Sequence, residues 1–119
     1  NQLIKKNIHF SKLIPFKKIA IDISERKDIK DEHFLYFRGV HTLNISRCQQ
    51  ITDKAFKYLK GIHTLEMVNC QQNSITNKAF QYLKGIHTLE MKCCSDNITD
   101  DVYEVLKGSK VYRCNPPDS

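Results

Sequence analysis

The sequence lacks the motifs that mark common enzymes, metal sites and membrane spans. It has no Gly-rich phosphate loop, no Gly-x-Ser-x-Gly elbow and no His-Glu-x-x-His pattern. No stretch is apolar for long enough to cross a bilayer. None of the five cysteines forms a Cys-x-x-Cys pair of the kind found in zinc ribbons and redox sites. We therefore expect no enzymatic activity, no cofactor, no metal and no membrane partner.

The cysteine count also bears on the compartment. Because five is an odd number and no paired motif is present, the sequence favours a reducing compartment, the cytoplasm or alternatively the nucleus. At 119 residues, of which 40% are hydrophobic, the chain is one domain or part of one with a modest core. It begins with Asn1 rather than Met, which suggests a fragment or a processed chain.

Positive charge is concentrated near the N-terminus. The net charge is +6, and most of it comes from lysines that precede the first acidic residue, Asp22. These lysines are Lys5, Lys6, Lys12, Lys17 and Lys18. A basic segment can contact nucleic acid, but this one has no arginine cluster and only Phe10 and Phe16 as aromatics, so a solvated cap is the preferred interpretation.

The chain repeats itself with a period of 22 to 24 residues. Aligned on their glycines, the units are GVHTLNISRCQQITDKAFKYLK (39–60), GIHTLEMVNCQQNSITNKAFQYLK (61–84) and GIHTLEMKCCSDNITDDVYEVLK (85–107). A fourth copy, IDISERKDIKDEHFLYFRG (21–39), aligns upstream without a gap, and a fifth begins at Gly108. Extra residues fall between the cysteine and the Ile-Thr pair, which predicts a loop there.

Each unit predicts one strand followed by one helix. Leu43 and Ile45 alternate with polar neighbours, so they should point into the core while Thr42, Asn44 and Ser46 point outward. In the following ITDKAFKYLKG (51–61), Thr52 or Asp53 can cap a helix whose apolar stripe includes Ala55, Phe56 and Leu59, and Gly61 can supply a left-handed stop. In the incomplete fifth copy, the alignment predicts that Tyr112 and Cys114 point inward and Arg113 outward.

The period and the spacing V-H-T-L-N-I-S-R-C (40–48) resemble those of leucine-rich repeats. The resemblance predicts an α/β protein: a right-handed leucine-rich-repeat solenoid with a short parallel sheet on its concave face and helices on its convex face. Three segments follow. Residues 1–18 form an N-terminal cap or the tail of an upstream domain, residues 19–114 form about four and a half repeats, and residues 115–119 form a C-terminal tail.

Two side-chain columns recur once per unit. We predict that Cys48, Cys70 and Cys94 turn inward as small packed side chains, because no four-ligand set accompanies them as a thiolate metal ladder would need. A second column contains His41, His63 and His87, which should lie near one another in adjacent strands. It is either a pH-sensitive or metal-binding stripe or a by-product of repeat copying.

The outward strand positions are where the copies differ, and they are the candidates for binding a partner. Solenoids of this kind bind partners along such a surface, because its side chains do not have to pack in the core. The candidate residues are Asp22, Ser24, Asn44, Ser46, Glu66, Val68, Glu90 and Lys92. The alternative is a merely solvated polar face.

The segment C-x-x-I-T-D-x-A-F-x-x-L-K-G (48–61) resembles the cysteine-containing leucine-rich repeats typical of F-box proteins, with Ala55 in place of the usual glycine. The near-verbatim copying is similar to that in repeat proteins of giant viruses of amoebae. The resemblance implies a monomeric protein-interaction module, the substrate-recognition part of a cullin-type ubiquitin-ligase adaptor if an F-box lies upstream, in the host cytoplasm if the protein is viral. The alternatives are nucleic-acid binding through the N-terminal lysines and a structural or self-associating repeat fragment.

Overall fold

Five short strands and four short helices alternate along residues 19–114, the part of the chain that the computed structural model describes. The predicted N-terminal segment 1–18, with its five lysines, and the predicted tail 115–119 lie outside the described residues.

The strands form one sheet in which every neighbouring pair is parallel. They are β1 (Ala20–Asp22), β2 (Thr42–Asn44), β3 (Thr64–Glu66), β4 (Thr88–Glu90) and β5 (Lys110–Tyr112). The order in the sheet is the order in the chain. Each repeat therefore adds one strand beside the previous one, and the predicted α/β class with a short parallel sheet is confirmed.

The register is the same across the sheet. Leu43 pairs with Leu65, and Leu65 pairs with Leu89. The register is kept although successive repeats differ in length, because the extra residues lie in the loop after the strand. In the longest loop, Gln72 Nε2 and Ser74 Oγ donate to the carbonyl of Ile51 at 3.2 and 3.0 Å. The loop thus bonds to the previous repeat and leaves the strands in step.

The helices are short, and the first three are of the 3₁₀ type. They are η1 (Asp31–Phe37), η2 (Asp53–Leu59) and η3 (Asn77–Leu83), followed by the α-helix α1 (Asp101–Val105). One helix per repeat was predicted, but the tighter 3₁₀ winding was not. Because 3₁₀ runs usually span only about three or four residues, these seven-residue helices are long for their type.

The predicted start and stop of the second helix are both present. Thr52 is the N-cap, and its Oγ1 accepts a hydrogen bond from the Lys54 amide at 3.2 Å. Gly61 has φ +81°, a conformation in which a Cβ would be strained. Asp53 is the first residue of the helix rather than its cap.

The core lies between the sheet and the row of helices. Leu43 and Ile45 from the strand segment and Phe56 from the helix are all 0% exposed. Phe56 and Phe80 occupy equivalent positions in successive repeats, and their ring centroids are 6.0 Å apart. Since each repeat contributes the same few apolar side chains, the core continues from one repeat to the next.

A second set of contacts between repeats joins the start of each helix to the next. Asp53 accepts from the Thr76 amide at 2.7 Å and from Thr76 Oγ1 at 2.6 Å. Asp31 makes the same two bonds to Thr52. The repeated Ile-Thr-Asp/Asn triplet carries this link, which was not predicted from the sequence.

The predicted orientation of the fifth copy is wrong by one residue. Val111 pairs with Leu89, so Tyr112 pairs with Glu90 on the outer face and is 49% exposed. Three steps separate Gly108 from Val111, whereas four separate Gly85 from Leu89. The last repeat has lost one residue before its strand, and every later side chain changes face as a result.

Arg113 consequently does not belong to the outer face. Its guanidinium donates to the carbonyl of Ile98 at 2.8 Å and lies 3.3 Å from Asp100 Oδ1. Arg113 therefore ties the end of the sheet to the loop that precedes α1.

None of the helices within residues 19–114 has the length and apolar character that a membrane span requires.

Candidate interaction surface on the outer sheet face

Four of the eight predicted binding residues form one continuous row. Asp22, Asn44, Glu66 and Glu90 are register partners in successive strands. They occupy the last position of each strand, between two inward-pointing residues. We call these four residues the acidic row, and neighbouring members are separated by the strand spacing of about 4.8 Å.

The other four predicted residues form a second row just beyond the strands. Ser24, Ser46, Val68 and Lys92 follow the acidic row by two positions. The backbone ladder continues past them, because the amides of Glu25, Arg47 and Asn69 donate to the carbonyls of Ser46, Val68 and Lys92 at 2.8 to 3.0 Å. The structure thus brings all eight predicted residues onto one face of the sheet.

The chain turns sharply after the second row. Glu25, Arg47, Asn69 and Cys93 occupy equivalent positions, and all four have φ between 59° and 64°. None of the four is glycine, although this left-handed backbone region is one that residues with a side chain seldom adopt. The turn ends the surface at the same point in every repeat.

Three of the predicted residues also shape the backbone. Asp22 Oδ1 accepts from the Ser24 amide at 2.8 Å, and Asn44 Oδ1 accepts from the Ser46 amide at 2.9 Å. Ser46 Oγ accepts from the Val68 amide at 2.9 Å, which links two repeats. The Asp/Asn-x-Ser pattern in the first two copies is the sequence signal for these bonds.

Negative charge dominates the acidic row. The hydrogen bonds from Ser24 favour the charged carboxylate of Asp22 and hold its pKa below the ordinary value. Glu66 and Glu90 are direct neighbours across β3 and β4. Lys92 Nζ lies 3.5 Å from Glu90 Oε1 and offsets part of the charge at one end. The row is therefore suited to positively charged groups.

Tyr112 extends the acidic row, and sequence analysis missed it. It is the register partner of Glu90 and is exposed at the edge of the described sheet. An exposed tyrosine beside carboxylates adds an apolar and hydrogen-bonding contact of the kind enriched in protein interfaces. The shortened spacing after Gly108 was the only available signal.

The histidine column lies on the same sheet, just before the strands. The imidazole of His63 stacks between those of His41 and His87, with ring centroids 4.3 and 4.4 Å away. Each ring lies with its Nδ1 2.7 to 2.8 Å from the hydroxyl of the following threonine. The predicted proximity is confirmed, and the contacts between repeats give these rings a structural use.

The cysteine column turns inward, as predicted. The thiols of Cys48, Cys70 and Cys94 donate to the carbonyls of Ile23, Ile45 and Met67 at 3.1, 3.3 and 2.9 Å. Burial raises the pKa of Cys70 to about 12 and that of Cys94 to about 11. Since the thiolate is the reactive form, burial makes Cys70 and Cys94 less reactive at neutral pH than a freely exposed thiol. Across residues 19–114 no three His, Cys, Asp or Glu side chains are grouped in a way that could hold a metal ion.

Neither the models of known protein families nor the curated proteins give a match to this chain.

Proposed function

We propose that the strand and helix repeats form a leucine-rich-repeat solenoid, right-handed and curved, with the sheet on its concave side. The support is the one-strand-per-repeat sheet in chain order and the identical register of the inward leucines. A small rotation from each repeat to the next gives such arrays their curvature.

This solenoid acts as a protein-interaction module that binds through its outer sheet face. The observation that carries the proposal is the acidic row, in which three carboxylates and an asparagine line up across four strands and point away from the core. Such a row complements a partner segment that presents lysine or arginine side chains. Val68 and Tyr112 add apolar contact area beside it.

The resemblance to F-box proteins adds a more specific version of this proposal. The repeats would hold a protein for ubiquitination, and other subunits of a cullin-type ligase would perform the chemistry. The test is whether a cullin-ligase adaptor co-purifies with the full-length protein from cells. Recovery of a client protein without any ligase component would restrict the proposal to binding alone.

The binding proposal is tested by charge reversal on the acidic row. The chain is used to capture partners from cell extract beside a Glu66→Arg/Glu90→Arg variant. The matched control is Asp96→Arg/Glu104→Arg, which makes the same charge change at exposed positions away from the sheet face. Each captured protein is then purified, and its affinity for all three versions is measured by titration calorimetry.

The proposal predicts that the acidic-row variant loses at least about tenfold in affinity, equivalent to about 1.4 kcal/mol, while the control binds like the wild type. Equal binding by all three versions would refute the role of this face. If the captured material is instead nucleic acid that salt releases, the lysines of residues 1–18 become the site to test.

A further inference from the structure

The thiols of Cys93 and Cys114 lie close together just after the last two described strands, and neither belongs to the inward cysteine column. Cys93 follows β4 and Cys114 follows β5, and their Sγ atoms lie 3.0 Å apart. Both residues are exposed, whereas Cys48 and Cys70 are buried. Cys93 and Cys114 are 21 positions apart in the chain. The parallel pairing of β4 and β5 brings them together.

The geometry suits a covalent bond between them. A disulfide bond is about 2.04 Å long, so the two sulfur atoms need to approach by only about 1 Å. Continuing the register of β4 and β5 places Cys114 beside Lys92, so Cys93 lies one position beyond its direct neighbour. An approach of about 1 Å is a movement that side-chain rotation can supply.

The neighbouring cysteine does not compete for this bond. Cys94 follows Cys93 directly, but its thiol points the other way and donates to the Met67 carbonyl at 2.9 Å. The left-handed conformation at Cys93, φ +59°, separates the two directions. The fold therefore leaves the thiol of Cys93 on the surface and turns the partly buried thiol of Cys94 toward the core.

We propose that Cys93 and Cys114 form a reversible oxidation site, which a small-molecule disulfide such as oxidised glutathione converts into an intramolecular disulfide. One cysteine, as its thiolate, attacks a sulfur of the oxidant, and a mixed disulfide and one glutathione thiolate result. The second cysteine thiolate attacks the mixed disulfide and releases the second glutathione. Two protons and two electrons pass from the protein to the oxidant, and reduced glutathione reverses both steps.

The bond would fasten the last strand to the rest of the sheet. Tyr112 and Cys114 lie at the edge of the described sheet, where β5 pairs with β4 on one side. A link from Cys114 to the turn after β4 restricts the opening of β5. The inference does not rest on the proposed function, because it needs only the two thiols and an oxidant.

The experiment counts free thiols in the full chain, with all five cysteines present, after equilibration in glutathione buffers from fully reduced to fully oxidised. The samples are quenched with acid, denatured and alkylated, and the mass of the intact protein is measured by mass spectrometry. We expect two of the five thiols to become protected from alkylation without any added glutathione mass. Trypsin cleaves after Lys92, Lys107 and Arg113, so the oxidised sample should contain peptide 93–107 linked to peptide 114–119.

Single substitutions assign the bond. Cys94→Ser should form the same link, whereas Cys93→Ser should carry only a glutathione adduct on Cys114. Five free thiols in the most oxidising buffer would overturn the proposal. So would a link that survives in Cys93→Ser but disappears in Cys94→Ser, or a disulfide found only between two chains. The thiol count on the wild type needs no variant, so a variant that fails to fold does not prevent the test.

Discussion

Individual side chains stabilise this protein by making the same bond once per repeat, with small changes in chemistry from copy to copy. Asp53 receives two hydrogen bonds from Thr76. In the next repeat Asn77 replaces the aspartate: it accepts from the Thr99 amide at 3.0 Å and donates to Thr99 Oγ1 at 2.8 Å. The amide thus keeps both bonds, with one of them reversed and without charge.

The difference between Asp53 and its equivalent Asn77 suggests two variants of Asp53 that can be compared directly. Asp53→Ala removes both bonds to Thr76, one of them from a half-buried backbone amide, and should lower the free energy of unfolding by about 2 kcal/mol. Asp53→Asn copies the arrangement at Asn77 and should cost about 1 kcal/mol or less. Urea denaturation of the two variants and the wild type measures both values. Equal losses in the two variants would mean that hydrogen bonding at this position is not what joins the repeats.

The buried thiols make stability depend on pH in the alkaline range. The pKa of Cys70 is raised from 9.0 to about 12 by burial, so the folded state keeps a proton that the unfolded chain gives up. The contribution is complete below pH 9 and is lost progressively as pH rises from 9 to 12. Between pH 8 and pH 10, Cys70 alone should cost about 1.4 kcal/mol of stability.

The measurement compares wild type with Cys70→Ala by urea denaturation at both pH values, with a reductant present. The variant is less stable overall, because it loses buried side-chain atoms, but its stability should fall less between pH 8 and pH 10. The same decrease in both proteins would show that groups other than Cys70 cause the alkaline loss.

At the scale of single elements, the sequence predicts where each helix begins and ends better than which kind of helix it is. Thr52 and Gly61 mark the limits through capping and a left-handed backbone, which are local properties. These signals do not distinguish a seven-residue 3₁₀ helix such as η2 from an α-helix of the same length. The 3₁₀ form of η1 to η3 therefore could not be predicted from them.

Gly61 provides a test of the helix stop. Its φ is +81°, and a Cβ added there would meet no atom within 4 Å. Gly61→Ala should therefore destabilise the protein by about 1 kcal/mol through backbone strain alone. Gly61→Asn should cost less, because asparagine tolerates the left-handed region. Thermal unfolding of both variants checks the order, and an alanine variant as stable as the wild type would contradict the strain.

At the scale of the whole molecule, repetition made the sheet predictable and its last strand less so. Leu43, Leu65 and Leu89 were placed correctly because three near-identical copies define the period. In the fifth copy, Val111 and Tyr112 are adjacent apolar residues, and a period of two allows either one to face the core. Pairing with β4 places Val111 beside Leu89 on the core side of the sheet. Tyr112 therefore lies on the candidate surface.

The proximity of Cys93 and Cys114 could not have been read from the sequence for a related reason. The predicted alignment placed Cys114 inward, where it would have been a packed side chain like Cys70. The one-residue shift moves it to the outer face, where its sulfur lies beside that of Cys93 in the turn after β4. A single missing residue in a loop thus changed both the candidate binding surface and the thiol chemistry.

The last described strand, β5, should open more readily than the centre of the described sheet, because β4 is its one neighbouring strand there. The amides of Thr64 and Lys110 make equivalent bonds, to the His41 and His87 carbonyls at 3.0 and 2.9 Å. Leu65 beside the first is fully buried, whereas Val111 beside the second is only half-buried. Under reducing conditions, hydrogen exchange should give Lys110 a protection factor at least about tenfold below that of Thr64. If Cys93 and Cys114 are joined, oxidation should raise the protection of Lys110 and leave that of Thr64 nearly unchanged.

Equal protection of the two amides in the reduced protein would mean that the whole sheet opens as one unit. A disulfide at the edge of the sheet would then act on global stability instead.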